Sequence, residues 1–125
     1  MHILYKEDTD YLNKLLNLPA GDDEQDWDIE LADPARLSEF LATYKAYDFK
    51  LSTRKAFLAL IIASYDILLR YDSDDDDFYW TSIKRIMDPK KSEHLALLEY
   101  WALDAVDEND VFPVTPRIRA YLNQQ

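Results

Sequence analysis

Apolar residues recur along the chain at the spacing of amphipathic helices. One such face follows Asp33 and obeys the i, i+3, i+4, i+7 rule. Its members are Leu37, Phe40, Leu41 and Tyr44. Further on, residues 56–63 are apolar at every position, as expected of a helix that other helices enclose. The pattern therefore predicts one helix that ends near Tyr47 and a second helix that Ser52 caps.

Four further helices are predicted from other apolar stripes. Near the start of the chain, Asp8 or Thr9 is the predicted N-cap of the first. Another begins within residues 74–77, the next covers residues 89–106, and a short one covers residues 116–122. The predicted inward positions are Leu12, Leu15, Leu16, Tyr79, Ile83, Ile86, Leu95, Leu98, Trp101, Ala102, Ala105, Ile118, Tyr121 and Leu122.

Proline directly follows a capping-type residue at three places, and these places predict helix starts. The pairs are Asp33-Pro34, Asp88-Pro89 and Thr115-Pro116. The side-chain oxygen is expected to accept from an orphan backbone N–H, and proline has no N–H to leave unpaired. The only glycine is Gly21, whereas many-stranded folds need glycine in their hairpins. Residues 1–125 are therefore predicted to form one all-α domain, a bundle of about five or six helices that also permits HEAT-like pairing.

The most apolar predicted helix contains one acidic residue, Asp66. A buried carboxylate without a partner is costly, and Arg70 lies four residues later on the same helix face. We expect the two side chains to form an ion pair where this helix meets solvent. Residues 55–69 are also too short for a membrane span, which needs about 20 apolar residues.

Net charge narrows the choice of partner. The chain has 25 acidic and 14 basic residues, which gives a net charge of −11 at pH 7. Most of the excess acid lies in residues 22–30 and 72–77. Such a surface repels the phosphates of nucleic acids and of anionic membranes, and it favours a basic protein partner.

Metal, cofactor and catalytic signatures are not found in the sequence. Residues 72–77 resemble the start of an EF-hand loop, but Asp77 replaces the required glycine and Ile83 the required glutamate. His2 and His94 are the only histidines and there is no cysteine, so a zinc site is not expected. His94 is interpreted as a partly buried or surface side chain. We therefore expect no metal, no cofactor and no enzymatic activity.

Two further observations indicate the cellular compartment in which the protein is expected to act. The lack of cysteine fits a reducing environment. Residues 1–10 have no apolar run behind a basic start, so no signal peptide is expected. Together these features predict a cytoplasmic protein.

Aromatic residues stand beside both acidic segments, an arrangement typical of interfaces with a basic surface. Trp27 lies within the first segment, and Phe78 and Trp80 follow the second. Three consecutive aromatic residues on a helix cannot all face one core stripe. Tyr79 fits the inward stripe, so at least one of its neighbours Phe78 and Trp80 should be partly exposed. Whether Trp80 belongs to the core or to the interface is left open. The predicted partner-binding residues are Asp22, Asp23, Glu24, Asp26, Trp27, Asp28, Asp74, Asp75, Asp76, Asp77, Phe78 and Trp80.

In size, acidity, lack of cysteine and helical layout, the chain resembles the immunity proteins of bacterial polymorphic and contact-dependent toxin systems. The resemblance implies a cytoplasmic, non-catalytic protein that neutralises a basic cognate toxin domain, often a nuclease, by covering its substrate-binding surface. A DNA mimic or regulatory adaptor, and a structural accessory subunit, are the alternatives.

Overall fold

The computed structural model describes residues 4–21, 26–71, 78–103, 106–107 and 110–123, and every regular element in these ranges is helical. The all-α prediction is therefore confirmed. The α-helices are α1 (Lys6–Leu15), α2 (Trp27–Glu30), α3 (Leu37–Ala46), α4 (Leu51–Tyr71), α5 (Phe78–Met87), α6 (Leu95–Ala102) and α7 (Thr115–Asn123). Two 3₁₀ segments, Pro34–Arg36 and Asp88–His94, precede α3 and α6.

Helix α4 is the centre of the fold. Residues 56–66 are buried without interruption, because α1, α2 and α3 all pack against this helix. The apolar run from 56 to 63 thus forms the enclosed helix that the sequence predicts. Within the described ranges, no helix is both long enough and apolar enough to cross a membrane.

Helices α3 and α7 bury the faces predicted from their spacing. The four predicted inward residues of α3, which include Phe40 and Tyr44, are all buried. In α7, Ile118 and Tyr121 are buried and Leu122 is partly buried. Periodicity alone was sufficient here because each helix has a single strongly apolar face.

Helical segments begin at all three predicted proline positions, but only one start has the predicted cap. The Asp33 carboxylate accepts a hydrogen bond from the Ala35 N–H at 3.0 Å. The Asp88 carboxylate instead accepts from the Tyr121 hydroxyl at 2.7 Å. The Thr115 hydroxyl donates to the Trp101 carbonyl at 2.7 Å. These two side chains therefore connect α7 to the elements around it, and their predicted capping role is wrong.

The predicted cap of α1 is also wrong. The helix begins at Lys6, so Asp8 and Thr9 lie within its first turn, and both are buried. The Asp8 carboxylate accepts a hydrogen bond from the Thr53 hydroxyl at 2.7 Å, which joins α1 to α4. A tertiary partner thus replaces the backbone partner that the sequence suggested.

Helix α5 is rotated by about one position from its predicted orientation. Its buried residues are Trp80, Ile83 and Met87, whereas Tyr79 and Ile86 are only partly buried. The Trp80 ring stacks on Tyr65 of α4 with ring centroids 6.0 Å apart. Burying this large ring outweighs the face that spacing alone favours.

Helix α6 is shorter than predicted. The 3₁₀ segment occupies residues 88–94, and this change of helical pitch leaves Leu95 exposed, contrary to the prediction. The helix ends at Ala102, and the residue that caps it, Leu103, has a left-handed φ of 48°. The Arg119 guanidinium holds this end by donating to the carbonyls of Ala102, at 2.6 Å, and of Leu103, at 2.5 Å. These bonds satisfy carbonyls that a helix end leaves unpaired.

Candidate functional site

Two predicted binding residues of the first acidic segment, Trp27 and Asp28, lie in the core. Only 5% of the Trp27 surface is exposed, and the indole N–H donates to the Asn13 side chain at 2.8 Å. Asp28 is buried as well, whereas Asp26 is exposed. The expectation that Trp27 and Asp28 belong to an exposed binding surface is therefore wrong. Helix α2, which carries Trp27, packs on α4, and burying the apolar surface of the indole stabilises the fold.

The two predicted aromatic residues that follow the second acidic segment differ in burial. Trp80 is 7% exposed, so the alternative left open is resolved in favour of the core. Phe78 is 61% exposed, which confirms that one member of this pair faces solvent. Its ring makes an edge contact with Tyr79, with centroids 5.4 Å apart. The remaining predicted residues, Asp22, Asp23, Glu24, Asp74, Asp75, Asp76 and Asp77, lie outside the described residues.

The predicted ion pair in α4 is present and has an additional partner. The Asp66 carboxylate lies 3.3 Å from the Arg70 guanidinium and also accepts from the Val114 N–H at 3.0 Å. Burial raises the pKa of Asp66, although the Val114 hydrogen bond and the Arg70 charge oppose that rise. Asp66 thus holds the start of α7 against α4, which is a structural role.

A pocket that the sequence analysis did not predict lies where α1 meets the connection between α3 and α4. It encloses about 340 Å³, close to the small end of the roughly 300–1,000 Å³ typical of ligand pockets. Its lining combines acidic and aromatic side chains. The lining residues are Glu7, Asp8, Tyr11, Tyr47, Asp48, Phe49, Lys50 and Thr53, which together we call the acidic aromatic pocket.

Aromatic rings form much of the pocket wall. Phe49 is buried, whereas Tyr11 and Tyr47 are 49% and 52% exposed. The Tyr11 ring makes an edge contact with Phe49 at a centroid distance of 6.3 Å, and Tyr47 lies 5.7 Å from Phe49. Phe49 packs in turn against Phe57 of α4, so a core residue fixes the position of the two exposed rings.

The charged side chains of the pocket are three carboxylates and one ammonium group. The Lys50 ammonium lies 3.0 Å from the Glu7 carboxylate and 3.7 Å from that of Asp8. The hydrogen bond to Glu7 raises the pKa of Lys50. Among the described residues, none pairs with the Asp48 carboxylate, which is exposed. The pocket therefore carries excess negative charge beside exposed aromatic faces.

A partly buried hydrogen-bond network holds the pocket residue Phe49 from its backbone side. The Arg54 guanidinium donates to the Phe49 carbonyl and also to the Glu93 carboxylate, the latter at 2.8 Å. Burial raises the pKa of Tyr44 beside this network to about 12. These contacts fix the backbone of the α3–α4 connection, and a fixed backbone makes the pocket geometry definite before any partner binds.

His94 is buried next to this network, which corrects the expectation of a partly buried or surface histidine. The Nδ1 atom has no hydrogen-bond partner among the described residues, and Nε2 lies 3.9 Å from the Glu93 carboxylate. Burial lowers the pKa of His94, and the positive charges of Arg54 and Lys55 act in the same direction. The Glu93 charge opposes this lowering, but the net direction favours the uncharged imidazole, which suits a packed position.

The sequence contains a signal for the pocket. Residues 47–50 alternate aromatic and charged side chains, Tyr-Asp-Phe-Lys, directly after a predicted helix. That helix was predicted to end near Tyr47, and no prediction was made for residues 48–50. Pairing it with Glu7 and Tyr11 requires knowing that α1 packs beside the start of α4, which is tertiary information.

Within the described ranges, no group of three or more histidine or acidic side chains is arranged to hold a metal ion. Comparison of the chain with protein-family models, with curated proteins and with solved structures finds no match.

Proposed function

We propose that this chain is an acidic, non-catalytic binding protein that neutralises a basic protein partner, as an immunity protein blocks a cognate toxin domain. One observation carries the proposal. On a protein with a net charge of −11, the acidic aromatic pocket brings unpaired or exposed carboxylates together with exposed aromatic rings. This composition suits the recognition of lysine- and arginine-rich surfaces.

Charge and rings serve different steps of binding in this proposal. Exposed carboxylates act over roughly a Debye length, about 8 Å at physiological salt, and mainly raise the association rate. Aromatic side chains that fill a partner's surface mainly slow dissociation. A nuclease domain fits this description well, because its substrate-binding surface is basic. The chain is proposed to act in the cytoplasm, where such a domain reaches its nucleic acid.

The decisive experiment is to capture the partner from the native host on the immobilised protein and to identify it by mass spectrometry. The purified partner is then assayed for its own activity at increasing ratios of this chain. We expect a basic protein whose activity is lost at a stoichiometric ratio, with an association rate that falls as salt is raised. An acidic partner, or a basic one that stays fully active in the complex, contradicts the proposal.

The acidic segment at 72–77 gives a separate test of steering. Replacing Asp75, Asp76 and Asp77 together by asparagine should lower the association rate and weaken its dependence on salt, because three negative charges are removed. The dissociation rate should change little. Stopped-flow or surface-based kinetics at several salt concentrations measures both rates. An unchanged association rate at low salt contradicts the steering role of this segment.

A further inference from the structure

We propose that the acidic aromatic pocket receives an arginine side chain of the basic partner, and that Lys50 occupies its carboxylates until that side chain binds. This inference rests on the proposed function and specifies the chemistry of its binding site. It is carried by the geometry of the pocket, by the unpaired Asp48 carboxylate, and by the cation that the chain itself places there.

The contacts of Lys50 show that the pocket carboxylates bind a positively charged group. Its ammonium group contacts Glu7 at 3.0 Å and approaches Asp8 to 3.7 Å, yet 58% of the Lys50 side chain remains exposed to solvent. An exposed lysine on a flexible stem is a weak occupant, because surface ion pairs gain little and cost side-chain entropy. A cation from another protein can therefore take its place at Glu7.

The remaining carboxylates differ in how available they are. Asp8 is buried and already accepts from the Thr53 hydroxyl at 2.7 Å, so it contributes a fixed negative charge. Asp48 is exposed and unpaired within the described part of the chain, so it is available for direct contact. The pocket can thus offer Glu7 and Asp48 to one incoming cation while Asp8 stays in place.

Arginine fits this lining better than lysine does. Its planar guanidinium group stacks on aromatic faces and binds carboxylates through paired N–H groups, whereas an ammonium group is a strongly hydrated point charge. Tyr11 and Tyr47 provide exposed rings, and each contacts the Phe49 ring. The volume of about 340 Å³ suits one long side chain rather than a folded segment.

The test is a titration of the isotope-labelled protein with an acetylated and amidated tetra-arginine peptide, followed by backbone amide resonances at low ionic strength. Tetra-citrulline of the same length is the neutral control, and tetra-lysine tests the preference for guanidinium. We expect resonance shifts centred on residues 7–11 and 47–53, weaker binding of tetra-lysine and none of tetra-citrulline. Shifts centred elsewhere, or equal binding of arginine and lysine peptides, overturn the inference.

Variants of opposite sign separate pocket binding from general attraction. Lys50→Gln removes the internal competitor and should tighten tetra-arginine binding by roughly two- to fivefold, the range of one exposed ion pair. Asp48→Asn should weaken binding by a similar factor. Asp26→Asn, an exposed site outside the pocket lining with the same charge change, is the matched control. Equal effects of Asp48→Asn and Asp26→Asn, or weaker binding by Lys50→Gln, overturn the inference.

Failure of this inference is distinguishable from failure of the proposed function. If the captured partner is basic and inhibited but its affinity is the same with Lys50→Gln, Asp48→Asn and the unchanged chain, the pocket assignment falls and the proposed function stands. If the captured partner is acidic, the proposed function falls whatever the peptide does.

Discussion

Aromatic rings stand near acidic residues in two parts of this protein, and the two sets of rings differ in their exposure to solvent. In α2 and α5 the tryptophans Trp27 and Trp80 are buried, although acids flank Trp27 directly and an aspartate run ends three residues before Trp80. In the acidic aromatic pocket the tyrosines Tyr11 and Tyr47 are about half exposed. Neighbouring charge along the chain therefore does not determine whether a ring faces solvent. The neighbouring helices decide it, because a large apolar ring is buried wherever they offer enough surface.

The buried and the exposed rings are also expected to have different roles, the first in folding and the second in binding. Trp80 stacks on Tyr65 and makes an edge contact with Tyr121 at 6.2 Å, so it joins α4, α5 and α7. Among the residues that the structure describes, Tyr47 has one ring neighbour, Phe49, at 5.7 Å, and 52% of the Tyr47 surface is exposed. Truncating the first side chain should disturb folding, and truncating the second should disturb binding alone.

The largest effect is expected for Trp80→Ala. It removes a buried ring from the junction of three helices and should lower the free energy of unfolding by about 3–5 kcal/mol. Tyr47→Ala, the matched change at an exposed ring, should cost less than about 1 kcal/mol. Chemical denaturation followed by circular dichroism measures both. Similar losses for the two variants would remove the distinction between the regions.

The next largest effect is expected from the buried hydrogen bond that the Asp66 carboxylate accepts. Asp66→Ala leaves the Val114 N–H without its partner and should cost about 1–3 kcal/mol, whereas Asp66→Asn retains an acceptor and should cost less. Equal losses for the two variants contradict a role for this hydrogen bond.

The raised pKa of Asp66 adds a pH dependence of defined sign. The folded state holds this proton more tightly than the unfolded state, so stability falls as pH rises from about 3.8 through the folded pKa. Asp66→Asn should remove that fall in denaturation curves measured across acidic pH. If the stability of the unchanged protein instead rises with pH relative to this variant, the pKa of Asp66 is not raised by folding.

A smaller effect of opposite sign is expected from His94. Its pKa is lowered in the folded state, so its contribution to stability is complete above about 6.5 and is lost as pH falls below that value. His94→Gln should show a flatter pH dependence between pH 7.5 and pH 5, and melting temperatures at both pH values measure it. If the variant keeps the full pH dependence of stability, that dependence comes from groups other than His94.

Local rules predicted most of the fold because each needs only neighbouring residues. The faces of α3 and α7, the enclosed run in α4 and the proline-marked starts all follow from spacing along the chain. The α5 face and the start of α6 were misplaced because Trp80 packing and a 3₁₀ segment shift the helical phase. Neither effect is encoded in a short window of sequence.

The binding surface was harder to predict because its parts are distant in sequence. Glu7 and Tyr11 come from α1, whereas Asp48 and Lys50 come from the α3–α4 connection. Of the predicted site residues that the structure describes, Phe78 and Asp26 are exposed and the tryptophans are not. Composition indicated acidic and aromatic residues, but only tertiary packing shows which of these residues are exposed to solvent.

The most direct measurement of the central claim is the dissociation rate of the captured basic partner from two variants. One carries Tyr11→Ala with Tyr47→Ala in the acidic aromatic pocket, and the other carries Phe78→Ala, an exposed ring outside it. The account predicts that the pocket variant dissociates roughly 30-fold faster or more, equivalent to about 2 kcal/mol for a hot spot, while Phe78→Ala stays close to the unchanged protein. Faster dissociation of the Phe78→Ala variant, with the pocket variant unchanged, would place the interface at α5 and contradict the account.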